Sequence, residues 1–184
     1  IGGSGAGQAA GSNDLITVDI GGTSCDIALV ASGRPLIRPE GRIAGYPVRV
    51  PMVDVNAMGS GGGSIAWLDA AGGLRVGPQS AGADPGPACY GRHGKVATVT
   101  DASMVLGFLN PEYFAGGSVS LDKELAKKAI GETIALPLSM TVEQAALGIH
   151  RVVNAQMAEG MRQVSIRQGH DPRDFSLVPL GGAG

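Results

Sequence analysis

The chain has 184 residues, a hydrophobic fraction of 43% and a net charge of −2, which is typical of one globular domain with a buried core. This charge balance argues against a surface for nucleic acid or anionic lipid, and no apolar stretch is long enough to span a membrane. Two cysteines are too few for a disulfide framework, and no secretory signal opens the sequence, so we expect reduced thiols and a cytoplasmic protein.

Glycine is the unusual component, because its 31 residues occur in clusters rather than evenly. Clustered glycine between apolar segments is typical of backbone that turns tightly or approaches a ligand closely. The first cluster, IGGSGAGQAAG, has no large side chains and no periodicity, so we interpret residues 1–12 as a glycine-rich linker or a remnant of a neighbouring region. The domain itself is predicted over residues 13–184.

Beyond this segment, short apolar or alternating runs predict strands. LITVDI and DIALVAS, residues 15–20 and 26–32, are predicted to form a β-hairpin. SIAWLD and GLRVGP are predicted to form a second hairpin that turns over residues 70–73. A loop over residues 78–94, PQSAGADPGPACYGRHG, is long for a compact domain, and such loops are commonly functional. Further short strands are predicted over residues 35–38, 47–50 and 52–57.

The second half of the chain has helical patterns. Short helices are predicted over residues 101–109 and 122–130, the first capped by Thr100 or Asp101, and a long helix over residues 141–168. Small or apolar residues recur along the long helix at spacings of four and three, which predicts one buried face. These positions are 142, 146, 149, 153, 157, 160 and 164. A strand, FSLVPL, follows, and strands followed by helices and a returning strand predict an α/β domain with a mixed sheet.

The turn of the first hairpin, Gly-Gly-Thr-Ser at residues 21–24, has features of an anion site. Consecutive N–H groups without Cβ atoms suit phosphate oxygens, and Thr23 and Ser24 add hydroxyl donors. Asp19 and Asp26 flank the turn and would repel a bare phosphate, but a divalent cation such as magnesium takes carboxylate and phosphate oxygens together. The alternative is a plain hairpin whose glycines only adopt positive φ, which leaves the aspartates and hydroxyls unexplained.

Several other features allow two interpretations. The turn GSGGGS, residues 59–64 with Gly61–Gly63 at its centre, is either a second anion nest or a tight bend. The loop over residues 78–94 is either structural or faces a substrate or partner. Cys89 in this loop has no histidine that the sequence places beside it, so a nucleophilic role is unsupported. The three histidines have no metal-ligand spacing.

Two segments resemble a known superfamily. VDIGGTSCD resembles the phosphate-binding hairpin of the ATPases that include actin, sugar kinases and the seventy-kilodalton heat-shock chaperones, and SLVPLGGAG resembles the turn that packs on adenosine in their second lobe. Five motifs in order resemble the hydantoinase A/oxoprolinase family: DIGGTSCDIAL, GSGGGSIAWLD, RVGPQSAGADPGPACYG, TVTDASMVLGFL and GHDPRDFSLVPLGGAG. That family includes ATP-dependent 5-oxoprolinases, N-methylhydantoinases and a subunit of acetone-type carboxylases.

The resemblance implies a fold, a reaction and a set of site residues. The fold is a ribonuclease H-like mixed sheet with packed helices, one lobe of an actin-like ATPase. The implied reaction uses ATP and Mg²⁺ to phosphorylate the carbonyl oxygen of a small cyclic amide of the hydantoin or 5-oxoproline type, or of a ketone. The resemblance assigns the phosphates to Gly21, Gly22, Thr23 and Ser24, and the adenosine to Gly181, Gly182 and Ala183. It implies Asp19 and Asp26 as catalytic residues. The implied metal ligands are Asp19, Asp26 and Asp101, although Asp101 is also a candidate helix cap.

Two departures from the family pattern matter. Cys25 stands where the family usually has threonine, which removes one hydroxyl from the turn. The chain stops at Gly184 and lacks a first lobe, so the resemblance implies a fragment with half of an ATP site, whose partners are that lobe and a hydantoinase B-type subunit or fused domain. A nucleotide-dependent switch of the actin or chaperone class would share the hairpin and the terminal turn, but not the segments over residues 59–64 and 78–94. A third interpretation is an interaction module without a nucleotide.

Overall fold

The computed structural model describes residues 2–184, apart from the side chain of Ile43. The helices in this part of the chain are α1 (Gly2–Ala9), α2 (Val99–Leu106), α3 (Lys123–Ile130) and α4 (Val142–Ile166), and a π-helical turn over Gly131–Ala135 extends α3. The strands are β1 (Leu15–Ile20), β2 (Cys25–Ala31), β3 (Arg34–Pro35), β4 (Ile37–Arg38), β5 (Gly41–Ile43), β6 (Tyr46–Val48), β7 (Met52–Val53), β8 (Val55–Met58), β9 (Ser64–Leu68), β10 (Leu74–Ser80) and β11 (Ser176–Leu180). Within residues 2–184, no helix has both the length and the apolar content that crossing a bilayer requires.

The central sheet has five strands and is mixed, as predicted. Its order is β11–β1–β2–β3, and β8 also pairs with β2. β1 runs parallel to β11 and antiparallel to β2, so the predicted first hairpin is confirmed, although β2 begins at Cys25. Between β3 and β8, the chain forms short ladders of β4 with β7 and of β5 with β6, which only partly match the strands predicted there.

One face of this sheet is covered by α4. Ile16, Val18 and Ile27 are buried in one cluster with Val164 of α4. The helix lies close to the sheet at Gly160, where a Cβ atom would be 2.9 Å from Ile27 Cδ1. This packing confirms the prediction that the long helix lies on one face of the sheet.

The opposite face carries α1. Gly3 packs against Thr17 and Gly7 against Leu15 so closely that a Cβ atom on either glycine would overlap those side chains. This helix lies within residues 1–12, which the sequence suggested are a glycine-rich linker or a remnant of a neighbouring region; Ile1 lies outside the described residues. Glycine has a low helix propensity, so contact with the sheet rather than propensity stabilises this helix.

The region between β8 and α4 forms a second core. β9 and β10 pair as the predicted second hairpin and pack with α2, α3 and the first half of α4. Its buried members include Ala66, Val76, Met104, Ile130 and Ile149. The two cores meet along α4, so this one helix connects the central sheet to the region formed by β9, β10, α2 and α3.

α4 has the buried face that the sequence predicted. Five of its seven predicted positions are buried: Ala146, Ile149, Val153, Gly160 and Val164. A capping box of Thr141 and Gln144 begins the helix, and Ile166 ends it two residues before the predicted boundary.

The start of α2 differs from the expectation that Thr100 or Asp101 caps it. Thr98 is the N-cap residue: its hydroxyl accepts from Asp101 N–H, and the Asp101 carboxylate accepts from Thr98 N–H. This reciprocal capping box satisfies two donors at the helix start, which places Asp101 inside the first turn.

Candidate functional site

The turn between β1 and β2 offers three backbone donors. Gly21 N–H donates to Ser24 O over 2.9 Å and closes the turn. The N–H groups of Gly22, Thr23 and Ser24 donate to no acceptor in the part of the chain that the structure describes, and Gly22 and Thr23 are exposed. Three consecutive donors without internal partners are available to an anion at the tip of the hairpin.

The conformation of this turn does not by itself require glycine. Neither Gly21 nor Gly22 has a positive φ. A Cβ atom on Gly22 would meet nothing within 4 Å, and one on Gly21 would lie 3.6 Å from Ser24 O, an ordinary contact. The plain-hairpin explanation, in which these glycines serve positive φ, is therefore wrong. The open space beside them is what the close approach of a ligand requires.

Asp19 and Asp26 lie side by side next to the turn. They are directly opposite each other in the register of β1 and β2, which puts their Cβ atoms about 4.5–5.5 Å apart. Because side chains alternate along a strand, both carboxylates lie on the face that carries α1. Neither has a salt-bridge partner within residues 2–184, so a cation would relieve their mutual repulsion.

The turn over residues 59–64 supports the hairpin from inside the protein. Gly62 N–H donates to Gly21 O over 2.9 Å. A Cβ atom on Gly61 would lie 2.7 Å from Gly21 O and from the backbone N and C of Thr23. The central glycines of this turn are buried. The structure therefore favours the tight bend over a second exposed nest, and its glycines are needed because two backbones meet there.

Two helices fix this supporting turn in place. On α2, Thr100 N–H and Thr100 Oγ1 both donate to Gly62 O, over 2.8 and 2.9 Å. On α4, Gln156 Oε1 accepts from Ser60 Oγ over 3.2 Å, and Gln156 Nε2 donates to Val76 O over 3.1 Å. The hairpin tip is thus held indirectly by residues far away in the sequence, and Gln156 carried no signal that sequence reasoning detected.

The terminal turn lies against the same hairpin. Ala183 N–H donates to Ile20 O over 3.0 Å. Gly181 has a φ of +87°, and a Cβ atom on it would lie 2.5 Å from Asp19 Oδ1. The structure therefore brings together the two glycine turns that the sequence separates by about 160 positions, as the resemblance implied.

A cavity of about 510 Å³ opens beside the two turns. Its volume lies within the range that is typical of small-molecule sites. The turns contribute Ile20, Gly22, Ser60, Gly61, Gly62, Gly182 and Ala183, and α2 and α4 contribute the polar side chains of Thr100, Ser103, His150 and Asn154. Asp19 and Asp26 lie on the other face of the hairpin. The turn at residues 21–24 therefore lies between the carboxylate pair and the cavity.

Sequence reasoning missed the polar wall of this cavity. His150 Nε2 lies 2.9 Å from Ser103 Oγ, and the Phe108 ring meets the imidazole edge to face at 5.2 Å. Burial lowers the pKa of His150 below its usual value, so the ring is neutral at pH 7. The only sequence signal was a polar residue on an otherwise apolar helix, which is too common to indicate a site.

A larger cavity, about 790 Å³, lies near the end of α4 and includes none of the predicted site residues. Met161, Phe175 and Leu177 are among its lining residues. It opens beside β11, away from both glycine turns, so its size does not make it the functional site.

Asp101 is not placed with Asp19 and Asp26 but is buried among protein donors. Its carboxylate accepts from the N–H groups of Ala88, Cys89 and Thr98 and from Thr98 Oγ1, over 2.7–3.2 Å. Both oxygens are occupied, so Asp101 joins the loop over residues 78–94 to α2, which is a structural role. Within residues 2–184 there is no group of three or more potential metal-binding side chains.

Both cysteines are buried and free. Burial, and then the negative charge of Asp101, raises the pKa of Cys89 far above its usual value. Burial, and then the charges of Asp26 and Asp19, raises the pKa of Cys25 to about 11. Neither thiol has the low pKa and the access that a nucleophile needs, which agrees with the sequence-based expectation for Cys89.

The fold and the arrangement of its glycine turns define one lobe of an actin-like ATPase fold, as predicted. A mixed sheet begins with a glycine-tipped hairpin, a long helix crosses it, and a returning strand ends in a second glycine turn. The chain belongs to the hydantoinase/oxoprolinase family, whose profile matches residues 1–184.

Similar proteins are known in sequence and in structure. The chain is 50% identical over 176 residues to caprolactamase subunit alpha from Pseudomonas jessenii. The aligned residues make up 96% of this chain and 25% of that protein. The crystal structure of the ATP-dependent caprolactamase from that organism superimposes on this chain with a TM-score of 0.90 at 49% identity. The superimposed region covers 98% of this chain and 26% of the caprolactamase chain.

Acetone carboxylase is a more distant structural neighbour. Its nucleotide-free structure, from a study of ATP-dependent acetone carboxylation, superimposes with a TM-score of 0.85 at 33% identity and covers 96% of this chain and 25% of its own. The chain therefore spans about a quarter of the length of these relatives.

Proposed function

We propose that this chain is the second, ATP-contacting lobe of a longer enzyme that activates a small cyclic amide or ketone by phosphorylating its carbonyl oxygen. The observation that carries the proposal is the exposed turn at residues 21–24, where three N–H donors lack partners and two glycines leave open space that the fold does not require. Unused donors without side-chain bulk suit the close approach of phosphate oxygens.

The hairpin turn would hold the phosphates and the carboxylates the metal. Gly22, Thr23 and Ser24 would donate their N–H groups to phosphate oxygens. Asp19 and Asp26 fit Mg²⁺, because this ion is commonly bound through one or two carboxylates, with phosphate oxygens and water completing its shell. When bound, Mg²⁺ would neutralise charge on the phosphates. Asp101 is left out of this set because its oxygens are already occupied.

The cavity would hold the nucleoside. It begins at Gly22 and extends between the terminal turn and the wall formed by α2 and α4. Gly182 and Ala183 line it, and they are residues that the resemblance assigns to the adenosine. A volume of about 510 Å³ leaves room for a base and a ribose beside the turn.

Phosphorylation of the carbonyl oxygen turns a poor leaving group into a good one. In a cyclic amide, water can then add to the activated carbon, and the ring nitrogen takes a proton and leaves as the C–N bond breaks. The acyl phosphate that remains is hydrolysed to a carboxylate and phosphate. In a ketone, loss of an α-proton together with phosphorylation gives an enol phosphate; transfer of its phosphoryl group to water releases the enolate, whose α-carbon bonds to carbon dioxide. Beside the turn, the Cys25 thiol is buried and its pKa is raised, and we assign the carboxylates of Asp19 and Asp26 to the metal. We therefore assign the substrate carbonyl to the first lobe and to a hydantoinase B-type subunit or fused domain. The names of the relatives, caprolactamase and acetone carboxylase, support both substrate classes.

The competing function is a nucleotide-dependent switch without turnover of a small molecule. The hairpin and the terminal turn would serve it equally well. The ATP-dependent caprolactamase and carboxylase among the similar structures favour the enzyme.

The proposal is tested with a two-lobed protein that contains this chain, together with its partner subunit. Consumption of a lactam, 5-oxoproline or a ketone is followed with and without Mg²⁺ and ATP. We expect turnover only with both, and no ATP hydrolysis by the 184-residue chain alone, because a closed cleft supplies contacts and excludes water. ATP hydrolysis by the complete protein that no amide or ketone stimulates would favour the switch, and robust hydrolysis by the isolated chain would refute the half-site.

A further inference from the structure

The cavity wall contains a polar pair whose protons can be assigned. His150 Nε2 lies 2.9 Å from Ser103 Oγ, and the same oxygen lies 3.1 Å from Val99 O. A serine hydroxyl has a single hydrogen. Both contacts are hydrogen bonds only if Ser103 donates to Val99 O and accepts from the N–H group at Nε2 of His150.

This assignment leaves Nδ1 as the unprotonated nitrogen of a neutral ring, in agreement with the lowered pKa of His150. No hydrogen bond to Nδ1 occurs in the described part of the chain, where every fully inaccessible polar side-chain atom has a partner. Nδ1 is therefore accessible, and His150 lines the cavity. The edge-to-face contact with Phe108 limits rotation of the ring, so a fixed hydrogen-bond acceptor is available to a ligand.

The position of this acceptor along the wall indicates which part of a nucleotide it meets. Thr100 marks the end of the wall near the hairpin, because it binds Gly62 O, and Gly62 in turn binds the hairpin. Ser103 lies three residues further along α2, about 4.5 Å along the helix axis. With the phosphates at the turn, the nucleoside is the part of the ligand on the side of His150.

We propose that His150 Nδ1 accepts a hydrogen bond from the exocyclic amino group of adenine and thereby determines the base specificity of the site. The inference rests on the proposed function, since it requires a nucleotide in this cavity. Adenine carries an amino donor where guanine and hypoxanthine carry a carbonyl acceptor. An acceptor facing another acceptor leaves both unsatisfied, which disfavours the wrong base.

The test compares nucleotides in the two-lobed protein by equilibrium binding with Mg²⁺. Purine riboside triphosphate, which lacks the amino group, and ITP, which has a carbonyl instead, should bind about tenfold more weakly than ATP. 2′-Deoxy-ATP should bind nearly as well as ATP. In His150→Phe, ATP should bind as weakly as purine riboside triphosphate, and in Ser103→Ala, which leaves the imidazole tautomer free, the preference should fall to an intermediate value.

The matched control is His170→Phe. His170 is also half-buried and meets a phenylalanine, Phe175, edge to face at 5.4 Å, but it lies outside this cavity, so the preference for ATP should remain.

The outcomes separate the two proposals. Absence of ATP binding by the wild-type protein would overturn the proposed function and this inference with it. ATP binding without a preference over purine riboside triphosphate, or a preference that survives in a folded His150→Phe variant, would overturn the inference alone. The inference would also be refuted if 2′-deoxy-ATP bound more weakly than ATP to the wild-type protein, purine riboside triphosphate bound as well as ATP, and His150→Phe removed the 2′-deoxy effect. That result would place His150 at the ribose. If His150→Phe does not fold, the wild-type analogue series and Ser103→Ala still decide.

Discussion

Replacing Gly61 by alanine should destabilise the fold by forcing the turn over residues 59–64 away from the hairpin turn over residues 21–24. The added Cβ atom would lie 2.7 Å from three backbone atoms, Gly21 O and the N and C atoms of Thr23, whereas ordinary contacts begin near 3.4 Å. Because all three atoms belong to the backbone, rotation of a side chain cannot relieve the overlap.

The cost follows from the contacts that must change. Overpacking a buried position costs about 1–3 kcal/mol, and loss of the hydrogen bond from Gly62 N–H to Gly21 O adds about 1 kcal/mol. We therefore expect the free energy of unfolding to fall by about 2–4 kcal/mol. For a domain of this size, that corresponds to a decrease in Tm of roughly 5–15 °C, which thermal unfolding followed by circular dichroism measures directly.

Gly22→Ala is the matched control, since it adds the same methyl group to the other side of the contact. A Cβ atom there meets nothing within 4 Å, and φ is not positive, so Tm should change by less than about 2 °C. In the two-lobed protein, however, the methyl group would occupy the space beside the phosphate donors, and affinity for Mg²⁺-ATP should fall at least about tenfold. Equal Tm values for the two variants would refute the steric argument, and unchanged ATP affinity in Gly22→Ala would refute phosphate binding at that position.

Three further predictions concern charge and thiol chemistry. Asp19→Asn and Asp26→Asn should each reduce ATP-dependent turnover of the two-lobed protein at least about tenfold. The unfolding free energy should stay unchanged or rise by up to about 0.5 kcal/mol, because like charges directly opposite each other destabilise a sheet. Full activity in both variants would argue against the metal site. Asp101→Asn should lower the unfolding free energy in urea by about 1–3 kcal/mol, because the amide NH₂ cannot accept from the N–H groups that the carboxylate binds, and an unchanged midpoint would contradict this. A thiol reagent at pH 8 should modify Cys25 and Cys89 only after unfolding, since both pKa values are raised and both thiols are buried; rapid reaction of the native chain would be inconsistent with this packing.

Elements whose pattern is local were predicted from the sequence. The β1–β2 hairpin is visible as two apolar runs around a glycine turn, and the buried face of α4 as a spacing of four and three residues. The sequence placed Asp19 and Asp26 at the two ends of this turn, and the structure adds that they pair directly across it.

α1 shows where local reasoning fails. Its glycines have low helix propensity, and only contact with the sheet, at Gly3 against Thr17 and Gly7 against Leu15, accounts for the helix. Asp101 is a similar case, because its carboxylate binds the loop at Ala88 and Cys89, and those donors could not be assigned to it before the chain folded.

By itself, the sequence determined which groups are available for chemistry: a turn with little side-chain bulk, two aspartates that flank it and a second glycine turn far along the chain. These features depend on residue type and on short spacings along the chain, so they can be recognised before the relative positions of the strands are known. The tertiary structure decided what surrounds them. It placed Gly61 against the hairpin, committed Asp101 to the loop and brought Ser103 to His150, because close packing between segments distant in sequence depends on the relative positions of whole elements, which no local pattern encodes.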